Sequence, residues 1–392
     1  MKARAQQPQF EFATATRIIF GCGTLQQLPE LASGMGRKVL LAIGSRADTA
    51  AGLQPQLAAR GLQVELVQVR GEPTLSSVAA AAAQARAANC DVVIGLGGGS
   101  VLDTAKAVAA LLTNTGNLLD YVEVAGGGQP LANPAVACIA VPTTAGTGAE
   151  VTRNSVMAVP AQNIKVSLRS AFLLPRVALV DPQLTLGLPA AITASTGMDA
   201  LTQLLEPYVS PRANPLTDAL VRMALPRAAR SLRQAWHNGS DLAAREDMAL
   251  ASVCGGLALA NARLGAVHGL AAVLGGSLPA AHGSICARLL PLVMSANVQA
   301  LQQRTPHAPA LQRYTEVAQW LTGNPHAQPA DGAVWVAALA TEMAIAPLAE
   351  CGLTPALIPE LVSKAQASSS MQGNSLPLLD NELAAILHQS LR

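Results

Sequence analysis

The chain has 392 residues, of which 51% are hydrophobic and 13% are charged, which allows two domains with sizeable cores and argues against disorder. The formal net charge is +2 and the basic residues are scattered, so we expect neither nucleic acid nor a membrane surface as a partner. The amino-terminal segment lacks the apolar core of a secretory signal, and no apolar run is long enough to span a membrane.

Six cysteines are spread along the chain and form no CxxC pair. We interpret them as buried structural thiols in a reducing compartment, and we therefore expect a cytoplasmic protein. The cysteines are Cys22, Cys90, Cys138, Cys254, Cys286 and Cys351.

The first half of the chain alternates short β-like runs with helical stretches. This alternation predicts a mostly parallel sheet that is covered by helices on both faces. The predicted strands lie at 38–44, 63–69, 91–97, 135–144 and 176–181, and the predicted helices lie at 49–61, 75–90 and 103–114.

The pattern changes after the segment DPQLTLGLP (181–189). Long alanine- and leucine-rich helical stretches follow, and no further β-run is convincing. The sequence therefore predicts an α/β domain at 1–185 and an all-helical domain at 186–392. The segment 303–314 is predicted to be a surface excursion.

A glycine loop joins the third predicted strand to its helix. In GLGGGSVLDTAKAVA the strand ends in Gly97, Gly98, Gly99 and Ser100, and a helix follows. Glycines let a ligand approach the backbone and the helix terminus offers free N–H groups, a combination that suits a pyrophosphate. The pattern is not GxGxxG, and on its own it could be an ordinary glycine-rich turn.

A second polar loop, VPTTAGTGAEVT (141–152), follows the next strand. Thr143, Thr144 and Thr147 could hydrogen-bond phosphate or ribose oxygens at the carboxyl end of the sheet, where α/β folds bind ligands. An ordinary threonine- and glycine-rich turn is the alternative interpretation.

The first helix of the second half contains TGMDALTQLLEPYVS (196–210). Asp199 and Gln203 are four residues apart and therefore share a helix face. This pair could belong to a metal site, or it could be two polar residues within a core helix.

These motifs occur in a characteristic order: GGGSVLDTAKAVA, PTTAGTGAEVT, VDPQLTLGLP, TASTGMDALT and a late pair of His-Gly dipeptides. In this order the sequence resembles the iron-containing (group III) alcohol dehydrogenase family, whose fold relatives include glycerol dehydrogenase and dehydroquinate synthase. The resemblance runs from about residue 16 to about residue 300. It implies a dinucleotide-binding α/β domain, a helical domain, and an active site in the cleft between them.

The resemblance also implies which residues contact the dinucleotide. The loop Gly98–Ser100 takes the pyrophosphate position, with Asp103 nearby, and Lys165 matches a lysine near the nicotinamide ribose. The other positions that match cofactor contacts are Gly97, Thr143, Thr144, Thr147 and Leu184.

The end of the first clear strand bears on the choice between NAD and NADP. An acid there binds the ribose 2′-hydroxyl of NAD, but this strand ends in Gly44, Ser45 and Arg46. Gly44 leaves room, and Ser45 and Arg46 could bind a 2′-phosphate, so NADP is favoured over NAD. The alternatives are that Arg46 points to solvent, or that Asp48, which lies further on, approaches the ribose.

By the same resemblance, one aspartate and three histidines hold the metal. Asp199 takes the aspartate position, and His268 and His282 take two histidine positions and are the predicted catalytic residues. The third histidine position holds Gln203, a weaker ligand for Fe²⁺ or Zn²⁺, and a further family histidine is replaced by Ala272. Binding of Fe²⁺ or Zn²⁺ by Asp199, Gln203, His268 and His282 is expected; a site without metal is the alternative.

We therefore predict an oxidoreductase that transfers a hydride between NAD(P)H and a small aldehyde or alcohol, with a metal ion that activates the substrate oxygen. The main rival is a metal-independent reductase of an unsaturated keto acid, similar to maleylacetate reductase, in which Arg153, Lys165 and Arg169 would hold carboxylates. A cyclase similar to dehydroquinate synthase and a non-catalytic binding protein are further alternatives. A homodimer or larger homo-oligomer is expected.

Overall fold

The computed structural model describes residues 9–44, 47–123, 125–162 and 164–392. An α/β part comes first and a helical part follows, as predicted. The strands are β1 Arg17–Phe20, β2 Lys38–Ile43, β3 Gln63–Gln68, β4 Val92–Gly97, β5 Ala137–Pro142, β6 Asn154–Val159, β7 Ile164–Arg169 and β8 Val177–Val180. The helices of this part are α1 Leu28–Ser33, α2 Ala47–Ala59, α3 Leu75–Ala87, α4 Gly99–Leu111 and α5 Leu118–Tyr121.

Six strands form one parallel sheet in the order β1-β8-β5-β4-β2-β3. Alternate residues of the central strands enter cores on opposite faces, because successive side chains of a strand point to opposite sides. In β2, Leu40 and Ala42 pack into one core, whereas Val39 and Leu41 pack into the other. Central strands that are buried on both faces explain the nearly continuous apolar runs in the sequence.

Two features of this part were not predicted. The short strand β1 lies at one edge of the sheet and pairs with β8. Strands β6 and β7 form a separate antiparallel pair, in which Ala158 is opposite Lys165. The pair lies against α4 and places Lys165 close to the helical part of the chain.

The described chain from Ala190 onward consists of helices and the loops between them. The long α6 is buried over most of its length and packs against α7, α8 and α10. Gly197 permits a close approach within this core, because an added Cβ would lie 2.1 Å from Leu232 Cδ1 of α7. The helices are α6 Ala190–Val209, α7 Pro215–His237, α8 Leu242–Ala262, α9 Ala266–Ser277, α10 His282–Arg304, α11 Pro309–Thr322, α12 Pro329–Glu342, α13 Ile358–Gln366 and α14 Asp380–Ser390.

The segment 303–314 lies mostly at the surface, as predicted, but most of it is helical and only a short loop separates the two helices. Helix α10 continues to Arg304, and α11 begins at Pro309 after a short loop. Proline is well tolerated in the first turn of a helix, so Pro309 starts α11 rather than preventing it. Tyr314, within this segment, is a buried core residue.

One helix among the described residues, α10, is long and apolar enough to cross a membrane by itself. About two thirds of that apolar stretch (67%) is buried inside the protein, as in a core helix. Helices α8 and α9 meet the same criterion only as a pair, and they are bent by 99° relative to each other.

Candidate active site

The glycine loop and the threonine loop lie against each other at the carboxyl ends of β4 and β5. The Thr143 N–H donates to the Gly97 carbonyl over 3.0 Å. Helix α4 begins at Gly99, and a Cβ on that residue would lie 2.8 Å from Thr147 Cγ2 and 3.0 Å from its Oγ1. Gly99 therefore allows the two loops to meet beside the amino terminus of α4, where free N–H groups and the helix dipole favour an anion.

Gly98, within the glycine loop, and Gly44, which follows β2, also make close contacts in this region. An added Cβ on Gly98 would meet Thr144 Oγ1 at 3.4 Å, and one on Gly44 would meet Val101 of α4 at 3.3 Å. Ser100 lies in the first turn of α4. Two more predicted positions, Ser45 and Arg46, lie outside the described residues.

Three further predicted cofactor residues have different surroundings. The Asp103 carboxylate pairs with Lys106 at 3.0 Å and accepts from the Val156 N–H at 3.1 Å, so it ties α4 to β6. Lys165 Nζ pairs with Glu72 at 2.6 Å. Leu184 belongs to the core on one face of the sheet. Their roles toward a dinucleotide stay predictions.

Three helices bring the predicted metal residues together in the helical part. Asp199 comes from α6, His268 from α9 and His282 from the first turn of α10. Asp199 Oδ1 lies 3.3 Å from His268 Nε2 and 4.0 Å from His282 Nε2. Asp199 and His268 are buried, whereas the His282 side chain is one third exposed (33%), which leaves the site open on that side.

Cys286 is a fourth member of this cluster, and the interpretation of all six cysteines as structural missed it. One ligand atom from each of Asp199, His268, His282 and Cys286 lies within 4.8 Å of the others. Cys286 is buried on α10 one turn after His282, and its Sγ lies 3.6 Å from His282 Nε2. The signal in the sequence was the four-residue spacing from a predicted ligand histidine, which places both side chains on one helix face.

The remaining cysteines differ in their exposure. None of the six forms a disulfide within the described chain. Cys90, Cys138 and Cys254 are buried as expected, but Cys22 is exposed and Cys351 is partly exposed. Burial raises the pKa of the Cys138 thiol to about 12. Cys286 differs, because the nearby charges of His282 and His268 outweigh the effect of burial and lower its pKa.

Glu206 holds His268 in a defined orientation. This buried residue lies two turns after Asp199 on α6. One carboxylate oxygen accepts from the Val267 N–H at 2.7 Å, and the other lies 2.6 Å from His268 Nδ1. A carboxylate only accepts hydrogen bonds, so Nδ1 carries a proton toward Glu206, and Nε2, which faces Asp199, is the ring nitrogen left to bind a metal. Sequence reasoning did not identify Glu206, although its spacing places it on the same helix face as Asp199.

Gln203 lies beside Asp199 on the same helix. Its Nε2 donates to Asp199 Oδ2 over 3.0 Å, so the contact is made within α6 rather than across helices. The Gln203 Oε1 is buried and would lie 3.6 Å from a Cβ added to Gly255 of α8. Oε1 has no hydrogen-bond partner among the described residues, and the role of Gln203 as a metal ligand stays a prediction.

Three buried polar atoms at the cluster, Asp199 Oδ1, Gln203 Oε1 and His268 Nε2, have no hydrogen-bond partner among the described residues. Asp199 Oδ1 and His268 Nε2 are 3.3 Å apart, but they are not aligned for a hydrogen bond. An unsatisfied buried polar atom costs about 1–3 kcal/mol, so two neighbouring ones require an explanation. Carboxylate, imidazole and thiolate groups are the ligands of Zn²⁺ and related ions, so the residues fit a divalent metal.

The threonine loop connects the two regions of the site. An added Cβ on Gly146 would lie 2.7 Å from Thr196 Cβ, and Thr196 precedes Asp199 by three residues on α6. The loop that meets the glycine loop therefore also packs against the helix that carries Asp199. Ligands bind at the carboxyl ends of parallel strands, so this cleft is the candidate active site.

The architecture defines a class: a dehydrogenase with a parallel α/β part, followed by a helical part that carries an Asp-His cluster. Residues 15–182 match the family described as "Iron-containing alcohol dehydrogenase". Residues 193–391 match the family described as "Fe-containing alcohol dehydrogenase family, C-terminal". The chain thus belongs to the iron-containing alcohol dehydrogenase family, and it is an alcohol dehydrogenase in this broad sense.

Individual relatives agree with this assignment. The chain is 41% identical over 302 residues to long-chain-alcohol dehydrogenase 1 of Geobacillus thermodenitrificans, covering 74% of this chain and 76% of the relative. The crystal structure of a 1,3-propanediol oxidoreductase matches with a TM-score of 0.89 at 32% identity, covering 98% and 100% of the two chains. Sulfoacetaldehyde reductase from Bifidobacterium kashiwanohense, in complex with NAD⁺, matches with a TM-score of 0.84 at 27% identity, covering 98% and 99%.

Proposed function

We propose that this alcohol dehydrogenase transfers a hydride reversibly between a nicotinamide dinucleotide and a small alcohol or aldehyde at a divalent metal site. The observation that carries the proposal is the pair of orphaned buried atoms, Asp199 Oδ1 and His268 Nε2, which face each other at 3.3 Å beside His282. A bound divalent ion would act as a Lewis acid that lowers the pKa of an alcohol or polarises an aldehyde carbonyl. Fe²⁺ and Zn²⁺ are the candidate ions.

The residues around the ion have distinct tasks in this proposal. Asp199 and His268 are buried and hold it from the protein side, and Glu206 keeps the His268 Nε2 free to bind. His282 lies on the exposed side, where a substrate can approach. Helix α4 and the two polar loops would hold the pyrophosphate of the dinucleotide, so that its nicotinamide is oriented toward the substrate carbon.

The metal requirement can be tested directly on the purified protein. We expect one divalent ion per chain, loss of activity with an aldehyde and NADPH after chelation, and recovery after Fe²⁺ or Zn²⁺ is added. Full activity in strictly metal-free protein would reject this part of the proposal. A titration with NADPH, followed by the turnover assay, separates a working enzyme from a non-catalytic binding protein.

NADP(H) is the proposed dinucleotide, because no acid follows the end of β2 at Gly44, Ser45 and Arg46. A related sulfoacetaldehyde reductase was crystallised with NAD⁺, so both dinucleotides belong in the test. Arg46→Ala is expected to weaken NADPH binding more than NADH binding, because a guanidinium binds the 2′-phosphate that NADH lacks. Equal losses for the two dinucleotides would reject the proposed role of Arg46.

The contacts of the cationic side chains lend no support to the keto acid reductase alternative. Lys165 pairs with Glu72 at 2.6 Å, and Arg169 lies 3.8 Å from Glu123. Lys165 and Arg169 thus already have a carboxylate partner within the protein, whereas Arg153 forms no ion pair among the described residues and is the one cation of the three that the alternative retains unpaired. We retain the metal-dependent alcohol dehydrogenase as the proposed function.

Three further expectations complete the proposal. The α/β domain would end near residue 185 and the helical domain would begin at 186, between β8 and α6. The protein would be a homodimer or a larger homo-oligomer, which light scattering of the purified chain measures. It would act in the cytoplasm, where its free thiols stay reduced.

A further inference from the structure

We infer that Cys286 is the fourth protein ligand of the metal ion, and that Gln203 is a positioning residue for Asp199 rather than a ligand. This inference rests on the proposed metal site. It assigns to the site a thiolate donor in addition to one carboxylate and two imidazoles. The sequence, by contrast, predicted an amide oxygen as the fourth donor.

The geometry of α10 supports the thiolate. His282 and Cys286 are one helical turn apart, and His282 Nε2 lies 3.6 Å from Cys286 Sγ. Metal–ligand bonds of about 2.0–2.3 Å in a tetrahedral site place neighbouring ligand atoms about 3.3–3.8 Å apart. The four ligand atoms of Asp199, His268, His282 and Cys286 already lie within 4.8 Å of one another, so small side-chain adjustments bring them to these distances.

Unsatisfied buried atoms beside Cys286 are a second observation that supports a shared ligand. Asp199 Oδ1 and His268 Nε2 are buried without partners among the residues that the structure describes. Both atoms belong to the same set as the Cys286 sulfur. Cys286 is a buried thiol that lies beside two histidines and an aspartate. Structural cysteines such as Cys90 instead belong to an apolar core.

The contacts of Gln203 favour a positioning role. Its amide nitrogen donates to Asp199 Oδ2, the carboxylate oxygen that is not the orphaned one. The reverse amide orientation would place Oε1 against the carboxylate and is disfavoured by repulsion between two acceptors. The amide oxygen therefore lies beside Gly255 of α8, buried without a hydrogen-bond partner among the described residues, while the hydrogen bond from the amide nitrogen directs Asp199 Oδ1 toward His268.

The donor set has a consequence for the choice of metal. A thiolate is a soft ligand that suits Zn²⁺ and Co²⁺ in tetrahedral sites better than it suits ions that favour oxygen ligands. We therefore expect Zn²⁺ to bind this chain more tightly than a site composed of oxygen and imidazole ligands alone would bind it.

Cobalt substitution tests the inference without an activity assay. The full-length metal-free protein is titrated with Co²⁺, and its absorption spectrum and metal content are recorded. One Co²⁺ per chain with an intense thiolate-to-cobalt charge-transfer band in the near ultraviolet supports the inference. One Co²⁺ per chain without that band overturns the role of Cys286 and leaves the proposed metal site intact. Failure to bind Co²⁺ and Zn²⁺ at all overturns the metal site itself, and the inference with it.

Variants then identify the sulfur. Cys286→Ala and Cys286→Ser, which is closer in size, are expected to lose the band. Loss of a residue that hydrogen-bonds to a metal ligand weakens metal binding roughly 10–100-fold, and loss of Cys286 as a ligand is expected to weaken Zn²⁺ binding by more than that. Cys90→Ala, a buried cysteine of the α/β part, is the control and is expected to keep both properties. Gln203→Ala is expected to keep the band. Persistence of the band in Cys286→Ser, or its loss in Gln203→Ala, would overturn the assignment.

Discussion

Glu206 offers a sharp test of how the candidate metal site is built. Its side chain is buried and makes two hydrogen bonds, one from the Val267 N–H at 2.7 Å and one from His268 Nδ1 at 2.6 Å. The substitution Glu206→Gln changes almost nothing in size, but it replaces one acceptor oxygen with an NH₂ donor. The variant therefore isolates the effect of hydrogen-bond direction on His268.

Neither orientation of the glutamine amide reproduces the original contacts. If its carbonyl accepts from the Val267 N–H, its NH₂ faces His268 Nδ1, and the imidazole proton has to move to Nε2, where a metal would bind. If the amide is reversed, His268 keeps its tautomer but two donors face each other at Val267. An unsatisfied buried donor costs about 1–3 kcal/mol, and about 1.4 kcal/mol corresponds to a tenfold change in affinity, so Zn²⁺ binding should weaken about 10–100-fold.

The measurement is a competition titration of Zn²⁺ between the protein and a chromophoric chelator, with circular dichroism to verify folding. Glu360→Gln is the matched control, because this exposed carboxylate pairs with Lys364 on the surface of α13 and is far from the cluster in sequence. The control is expected to bind Zn²⁺ as the unmodified chain does. An unchanged Zn²⁺ dissociation constant for Glu206→Gln would refute the orienting role of Glu206.

Three other substitutions test the cofactor loops, the helix packing and the pH dependence of stability. Gly99→Ala places a Cβ 2.8 Å from Thr147 Cγ2. Overpacking of this kind costs about 1–3 kcal/mol, so we expect NADPH binding, measured by fluorescence titration, to weaken about tenfold. Gly283→Ala places a Cβ 2.2 Å from the Ser195 carbonyl and is expected to lower the free energy of unfolding by about 1–3 kcal/mol in urea. Burial raises the pKa of Glu150 from 4.5 to about 7, so its protonated form stabilises the fold fully below pH 4.5 and this contribution is lost as the pH rises through 7. We therefore expect that, as the pH rises from 4.5 to above 7, the free energy of unfolding of Glu150→Gln increases by about 3 kcal/mol relative to that of the unmodified chain.

The same experiments contain their own controls. Gly34→Ala controls for both glycine substitutions, because its added Cβ would meet carbonyl oxygens at 3.6 and 3.7 Å, which is ordinary contact. NADPH affinity that falls equally in Gly34→Ala and Gly99→Ala would contradict the loop argument. An unchanged free energy of unfolding in Gly283→Ala would contradict the argument that α6 and α10 need a glycine at this contact. A stability difference between Glu150→Gln and the unmodified chain that does not vary with pH would contradict the raised pKa.

The sequence predicted the central part of the fold because its strands are buried on both faces. Apolar runs such as β2 and β4, separated by helical stretches, carry a strong pattern that needs no tertiary information. Strand β1 has four residues at the sheet edge and β6–β7 has a half-buried, partly polar pattern, so neither stands out from loop sequence. These strands depend on partners that are distant along the chain.

The candidate metal residues were predicted unequally for a similar reason. Asp199, His268 and His282 were identified through motifs, and the structure brings them together. Cys286 was missed because isolated cysteines are usually structural, and only the fold shows which of six thiols faces the histidines. Glu206 was missed because a buried glutamate reveals its role through its partners on α9.

The packing also suggests why the two halves of the site depend on each other. Gly146 lies against Thr196 of α6, and Gly148 lies against Gly256 of α8, where an added Cβ would come within 2.5 Å of Gly256 Cα. Thr147 lies between these two glycines in the chain and meets Gly99 of the glycine loop. A side chain larger than hydrogen at either position would push the loop away from the helices, and because the same loop meets Gly99, it would also disturb the dinucleotide region. If the dinucleotide and the metal bind as proposed, these close contacts would determine the spacing between them, as hydride transfer over a short, defined distance requires.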